Sequence, residues 1–209
     1  MSHVIDAGIE GNSRVFFVKG DRTAIIDAGN PGDERNILRA LKSSGIPREK
    51  VSVIVITHAH IDHCGSVHAL KAALNVPVLA GWPDADYMEK GENLPVMNIQ
   101  DKNDLQRAPG SKFEGVKADV IVTEDMSLDG YGIDALVLKT PGHTDGSISV
   151  LASNGDCVTG DLLASLYSGK PEVIEKSLKN LTGHGAKRFF PAHAASVEAA
   201  SILNIFFSA

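Results

Sequence analysis

The run Val51–Ile56 is β-branched throughout except for Ser52, and it leads directly into Thr57-His58-Ala59-His60-Ile61-Asp62-His63. A continuous apolar run of this length shows no polar alternation. It therefore predicts a strand buried on both faces, as parallel strands under helices are. Such a strand needs packing layers above and below it, which excludes a small open hairpin fold. The segment after the strand is equally restrictive: three histidines and one aspartate fall within six residues. Imidazole nitrogens and carboxylate oxygens are the ligands that zinc and similar divalent ions take.

The spacing gives the cluster a geometry. His58 and His60 lie two apart on a non-helical segment, so both can project to one side. Asp62 and His63 fall at the start of the next helix. This is not the helical His-Glu-x-x-His pair, so a zincin-type protease is not expected. One such histidine alone reads as solvated. Four ligand candidates at the carboxyl end of a buried strand, where open α/β sheets place their sites, reverse that reading.

The rest of the chain supplies the layers. Short strands are predicted at 4–5, 15–18 and 24–26, punctuated by glycines. A helix is predicted from Asn30-Pro31, with Asn30 as N-cap and Pro31 at the first helical position, to Gly45. Its apolar stripe is Ile37, Leu38 and Leu41. A helix at 63–74 and a strand at 76–79 complete a βαβ unit around the histidine cluster. Further strands are predicted at 120–122, 133–138, 147–151, 157–159 and 187–190, with hairpins at Asp129-Gly130 and Asn154-Gly155. Helices are predicted at 171–181 and 194–207. Residues 82–118 lose periodicity apart from a short helix near 83–90, and they read as an insertion in a single domain spanning 1–209. Trp82, Tyr87, Met88, Leu94, Val96 and Met97 suit a cover over the site, the alternatives being a surface excursion or a dimer contact. Strands and helices mix in both halves, so the class is α/β or α+β.

Composition narrows the function classes. A 209-residue chain can bury about 70% of its unfolded surface without staples. The formal net charge of -6 offers no basic field for nucleic acid or an anionic membrane. The two cysteines, Cys64 and Cys157, make no disulfide framework. No apolar leader occupies the first twenty residues and no run approaches a membrane span, so a cytoplasmic protein is expected. Gly130-Tyr131-Gly132 opens no helix and reads as a turn rather than a dinucleotide fingerprint. His3, His68 and His184 lie outside the cluster. Cys64 reads as a small buried hydrophobe against a redox or metal thiolate. Tyr167 is balanced between pocket lining and plain packing, and Asp27 is expected to order a turn beside the site.

With these residues in place, the chain resembles the metallo-β-lactamase-fold superfamily. The His-x-His-x-Asp-His segment carries the likeness, and downstream segments come in the family's order. They are Thr140-Pro141-Gly142-His143-Thr144, Thr159-Gly160-Asp161 and Phe190-Pro191-Ala192-His193. Ile25-Ile26-Asp27-Ala28-Gly29 resembles the family's early strand-Asp-Gly turn. Ala192 and Ala194 depart from glycines frequent at those positions, which implies a slightly different loop there. The resemblance implies an αββα sandwich of two mixed β-sheets with outer helices. It implies two divalent metal ions, zinc first, with iron or manganese as alternatives. Site one would use His58, His60 and His143; site two would use Asp62, His63 and His193, with Asp161 bridging.

The leading expectation is a metal-dependent hydrolase of an ester, thioester or lactone carbonyl, similar to glyoxalase II. Metal ions bring the pKa of water to about 7, and Asp62 would orient the nucleophile and pass a proton to the leaving group. Sixteen residues follow His193, against a helical glutathione-gripping domain in long-form relatives, so another small-molecule substrate is expected. The runner-up is a persulfide dioxygenase-like enzyme with one iron at His58, His143 and Asp161. A β-lactamase-like hydrolase and a non-catalytic scaffold rank below it. No nucleic-acid or membrane partner is expected, and a homodimer stays open.

Overall fold

The computed structural model describes residues 1–9, 13–92, 113–167 and 170–207. Two six-stranded sheets form its middle. The first holds, in spatial order, β1 (His3–Asp6), β2 (Phe16–Lys19), β3 (Thr23–Ile26), β4 (Val51–Ile56), β5 (Val78–Gly81) and β6 (Val120–Val122). Its first two pairings are antiparallel and its last three parallel. The second sheet runs from β7 (Met126–Ser127) through β8 (Ala135–Lys139), β9 (Ile148–Ala152), β10 (Asp156–Gly160) and β11 (Arg188–Pro191) to β12 (Val197–Glu198). Only its β10–β11 pair is parallel. Both sheets are mixed.

Side-chain alternation explains the layering. In β4, Val53 and Val55 enter the core between the sheets, while Ile54 and Ile56 enter the core on the outer face. The same period of two sends Phe16 and Val18 inward and Phe17 outward in β2. Val137, Val150 and Val158 of the second sheet meet them from across the middle core. Outside the first sheet pack α1 (Glu34–Ser43) through Ile37 and Leu41, and α3 (Val67–Leu74) through Val67 and Leu70. Outside the second sheet pack α5 (Pro171–Gly183) through Ile174, Leu178 and Leu181, and α6 (Ala199–Phe207) through Ala199 and Ile202. The order helix, sheet, sheet, helix is the αββα sandwich. Both faces of each sheet are covered, so the strands read as apolar runs rather than alternating ones.

Several boundaries differ from the sequence expectation. The helix expected at Asn30 starts later, with Asp33 as N-cap. The segment 63–74 is two helices, α2 (Ile61–Cys64) and α3, with Gly65 and Ser66 between them. The strand expected at 76–79 is displaced to Val78–Gly81. The terminal segment first adds strand β12 and only then becomes α6. In the 82–118 segment, α4 (Asp84–Lys90) is the short helix expected there, and Phe113, Val116 and Ala118 join the outer core of the first sheet. Residues 93–112, with Leu94, Val96 and Met97 of the expected cover, lie outside the described residues. Among the described residues no helix is long and apolar enough to cross a membrane.

Candidate metal centre

The seven side chains picked out from the sequence come from five segments and meet at the ends of both sheets. His58 and His60 follow β4, and Asp62 and His63 lie in α2. His143 is in the turn after β8, Asp161 directly follows β10, and His193 follows β11. Parallel neighbours β3 and β4, and β10 and β11, deliver their carboxyl ends to one side, which is why segments distant in sequence converge.

They gather in two groups whose ligand atoms lie within 4.8 Å of one another: His58, His60, His143 and Asp161, then Asp62, His63 and His193. In the first, His60 Nδ1 is 3.0 Å from His58 Nε2 and 2.9 Å from His143 Nε2. Asp161 Oδ2 stands 3.9 Å from His58 Nε2 and 3.6 Å from His143 Nε2. In the second, Asp62 Oδ2 is 3.7 Å from His63 Nε2 and 3.4 Å from His193 Nε2. Asp161 also reaches this group, with Oδ1 3.4 Å from His63 Nε2 and Oδ2 3.2 Å from His193 Nε2. A tetrahedron with zinc-like bonds of about 2.0–2.1 Å has edges of roughly 3.3–3.4 Å. The observed separations scatter around that edge length.

Hydrogen bonds to the outward nitrogens aim the inward ones at the centre. Thr57 Oγ1 donates to Asp27 Oδ2 (2.9 Å), so at 3.1 Å it accepts from His58 Nδ1–H. His63 Nδ1–H donates to Asp27 Oδ2 at 2.8 Å. His143 Nδ1–H donates to Ser165 Oγ at 2.8 Å, and that hydroxyl donates to the Asp161 carbonyl. These bonds place a proton on the outer nitrogen of each ring and turn the inner nitrogen toward the centre. His60 has the opposite orientation, with Nδ1 inward and Nε2 buried without a hydrogen bond among the described residues. His63 Nε2 and Asp161 Oδ1 are likewise buried without a hydrogen bond among them. Orphaned polar atoms are costly, and a cation at the centre satisfies the inward pair. The donor set fits divalent metal ions.

Electrostatics divides the two groups. Burial, then the other histidines, pushes His58 well below the ordinary imidazole range. Burial and then His143 take His60 down to about 3. In the second group burial acts the same way but is outweighed. The charges of Asp161, Asp62 and Asp27 lift His63 well above its usual value. Hydrogen bonds to Asp161 and Asp62 lift His193 to about 10. Burial alone would raise Asp161, yet His63 and the hydrogen bond from His193 hold it well below the carboxylate range. Without an ion, then, protons on His63 and His193 offset the charges of Asp161 and Asp62, and the His58 and His60 rings stay uncharged. Metal binding would replace those protons.

Asp27, Thr57, Ser165 and Asp84 complete the surroundings. Asp27 is fully buried at φ 66° and accepts Thr57 N–H at 2.7 Å besides His63 and the Thr57 hydroxyl. Gly160 approaches Thr57 so closely that a Cβ there would lie 2.6 Å from Thr57 Oγ1. Ser13 donates to the Asp62 carbonyl. Ala192, where a glycine is frequent in the family, donates its N–H to the Gly160 carbonyl and accepts from Arg14 N–H. Of these polar residues, Thr57 lay inside the motif and Asp27 was expected beside the site. Ser165 and Asp84 were missed, because nothing in local spacing marks a hydroxyl or carboxylate that acts from another segment. The histidines set aside stay apart: His3 and His184 are exposed, and His68 faces Glu114 at 3.3 Å. Cys64 is buried in the outer core, and burial pushes its thiol up. The side chain of Tyr167 lies outside the described residues.

Comparisons with known proteins agree with this geometry. Residues 8–203 match the family model described as the metallo-beta-lactamase superfamily. A probable metallo-hydrolase of Methanocaldococcus jannaschii is 25% identical over 160 residues, 76% of this chain and 71% of that protein. A hydroxyacylglutathione hydrolase of Alkalilimnicola ehrlichii is 32% identical over 163 residues, 76% of this chain and 50% of that protein. This chain thus spans half of that hydrolase's length. Among solved structures, a metallo-beta-lactamase mutant from Cronobacter sakazakii superposes with a TM-score of 0.68 at 23% identity, covering 91% of this chain and 77% of that one. At that identity the likeness concerns the fold.

Proposed function

The chain belongs to the metallo-β-lactamase superfamily, and from that premise we propose that it is a two-metal hydrolase of thioester, ester or lactone carbonyls. The observation that carries the proposal is Asp161, whose carboxylate lies within 3.9 Å of nitrogens from both histidine groups. His58, His60 and His143 would hold one ion, and Asp62, His63 and His193 the other, with Asp161 shared. Divalent ions in such a setting act as Lewis acids and make hydroxide available near neutral pH. The relative named a hydroxyacylglutathione hydrolase supports a thioester as substrate.

The chain's own residues divide the work. His58 and His60 are buried, whereas the side chains of Asp62 and His193 are 17% and 34% exposed. Substrate therefore approaches from the Asp62–His193 side. Burial would raise the Asp62 carboxyl, but in the metal-free protein the charge of His63 and the hydrogen bond from His193 lower it; in the loaded centre the charge of the ion would take their place and keep the carboxylate an acceptor. The Asp62 carboxylate takes the proton of the attacking water and returns it to the thiolate or alkoxide that leaves. Asp27 and Thr57 hold His63 and His58 against rotation, so the centre stays set while the carbonyl is attacked.

A hydrolysis panel on zinc-reconstituted protein tests this proposal, with thioesters, lactones, a β-lactam and a phosphodiester. Thioester or lactone turnover is expected. Asp62→Asn should lower kcat by about 10²–10⁴-fold with the fold retained, because an amide cannot accept the proton. Turnover of the β-lactam alone, or oxygen uptake with a persulfide by iron-loaded protein, would overturn the substrate class. Near-normal activity of Asp62→Asn at unchanged metal content would overturn the role given to Asp62.

A further inference from the structure

Asp84 opens α4, is 1% exposed, and belongs to neither histidine group. Its Oδ2 accepts the Ala59 N–H at 3.0 Å and the Thr144 hydroxyl at 2.9 Å. Its Oδ1 accepts the Gly146 N–H at 3.0 Å. Ala59 lies between His58 and His60, and Thr144 follows His143 directly. One carboxylate thus ties together the two loops that carry the three imidazoles of the first group. The fit is close: a Cβ on Gly146 would lie 2.3 Å from Asp84 Oδ1. Burial pushes this carboxyl up, and the three donors, Ala59 first, pull it back.

We infer that Asp84 is a positioning residue that sets the spacing between the His58–His60 loop and the His143 loop, and so the metal affinity of the three-histidine half. The inference rests on the two-metal reading above. A carboxylate is needed because three donors converge on two oxygens. An asparagine offers one acceptor oxygen and turns an N–H₂ group toward the remaining donors. Either orientation sets the N–H₂ against a backbone N–H, that of Gly146 or that of Ala59, so the carboxylate's hold on both loops is lost or loosened. The nitrogens it positions sit 2.9–3.0 Å apart, a few tenths of an ångström short of a tetrahedral edge of roughly 3.3–3.4 Å, so the spacing of the two loops decides how well the three imidazoles can surround an ion.

The test is zinc titration of metal-free protein in two backgrounds. His193→Ala leaves the three-histidine half as the better site, and His60→Ala leaves the other half. Asp84→Asn should weaken zinc binding by about 10–100-fold in the His193→Ala background and leave it unchanged in the His60→Ala background. Thr144→Val removes one of the three bonds and keeps the carboxylate on Ala59 and Gly146, so it should weaken the same half by less. It also serves if Asp84→Asn fails to fold. Equal weakening in both backgrounds would make Asp84 a general prop of the fold and overturn the inference. Unchanged affinity with Thr144→Val in the His193→Ala background, or with a folded Asp84→Asn, would overturn it too. If the wild type takes up no zinc, the two-metal reading itself fails, which is a separate outcome.

Discussion

Asp27 combines a left-handed backbone, full burial and three accepted hydrogen bonds. Non-glycine residues at positive φ are uncommon, with aspartate and asparagine favoured among them. Asp27→Ala leaves the Thr57 N–H and the His63 Nδ1–H without an acceptor, each at a cost of about 1–3 kcal/mol. Urea unfolding should show Asp27→Ala as clearly less stable than Asp27→Asn, which keeps an acceptor and tolerates the backbone. Titration at this scale has a sign that can be checked in metal-free protein. His60 has a depressed value of about 3, against an ordinary 6.5 in the unfolded chain. Its contribution to stability is complete above 6.5 and is lost as pH falls toward 3. His193 is raised to about 10, so its contribution is complete below 6.5 and lost as pH rises through 10. Together they place maximum stability between those limbs. Zinc held by His193 would displace that proton, so zinc should bind more tightly as pH rises from 6.5 toward 10, with proton release measurable in weak buffer. A zinc affinity that does not change with pH would contradict the protonation assigned to His63 and His193.

At the scale of elements, Gly160 is where strand geometry and site chemistry meet. It ends β10 at φ 51° and packs on Thr57, whose hydroxyl holds His58. Gly160→Ala brings about 1–2 kcal/mol of left-handed strain plus a collision with Thr57. Both a lower melting temperature and a reduced zinc affinity are expected from it. The strands were the legible elements. Val51–Ile56 reads as a strand buried on both faces because its sequence lacks alternation, and the Asn154-Gly155 turn reads from two residues. Helix starts were less legible where a distant segment intervenes. Asn30 was expected to cap α1, but its carbonyl accepts from the Ser66 hydroxyl and the Asp33 N–H bonds to Ser66 Oγ at 2.9 Å. Gly65 N–H bonds to Gly29 in the same contact. That one tertiary contact delays α1 and separates α2 from α3, and nothing within either local sequence signals it. Likewise β12 forms because β11 offers an edge. The ligand candidates were legible because they share a motif with tight spacing. Asp84 was not, because its three donors belong to residues 59, 144 and 146.

At the scale of the molecule, the centre joins the two sheets. Ligand candidates after β4 come from the first sheet, and those after β8, β10 and β11 come from the second. The middle core holds the sheets together over their length, and metal ions at the carboxyl ends would fasten them at one rim. An ion that binds only the folded state adds about 2.7 kcal/mol when present at 100 times its dissociation constant. Chelation should therefore lower the unfolding midpoint and leave the secondary structure in place. The most direct test of a two-metal centre is the zinc content of wild-type protein that has been stripped, reconstituted and dialysed against metal-free buffer. About two zinc ions per chain are expected, as a two-metal site requires, falling to about one with His193→Ala. Zinc-free wild-type protein after that treatment, or a content indifferent to His193, would contradict it.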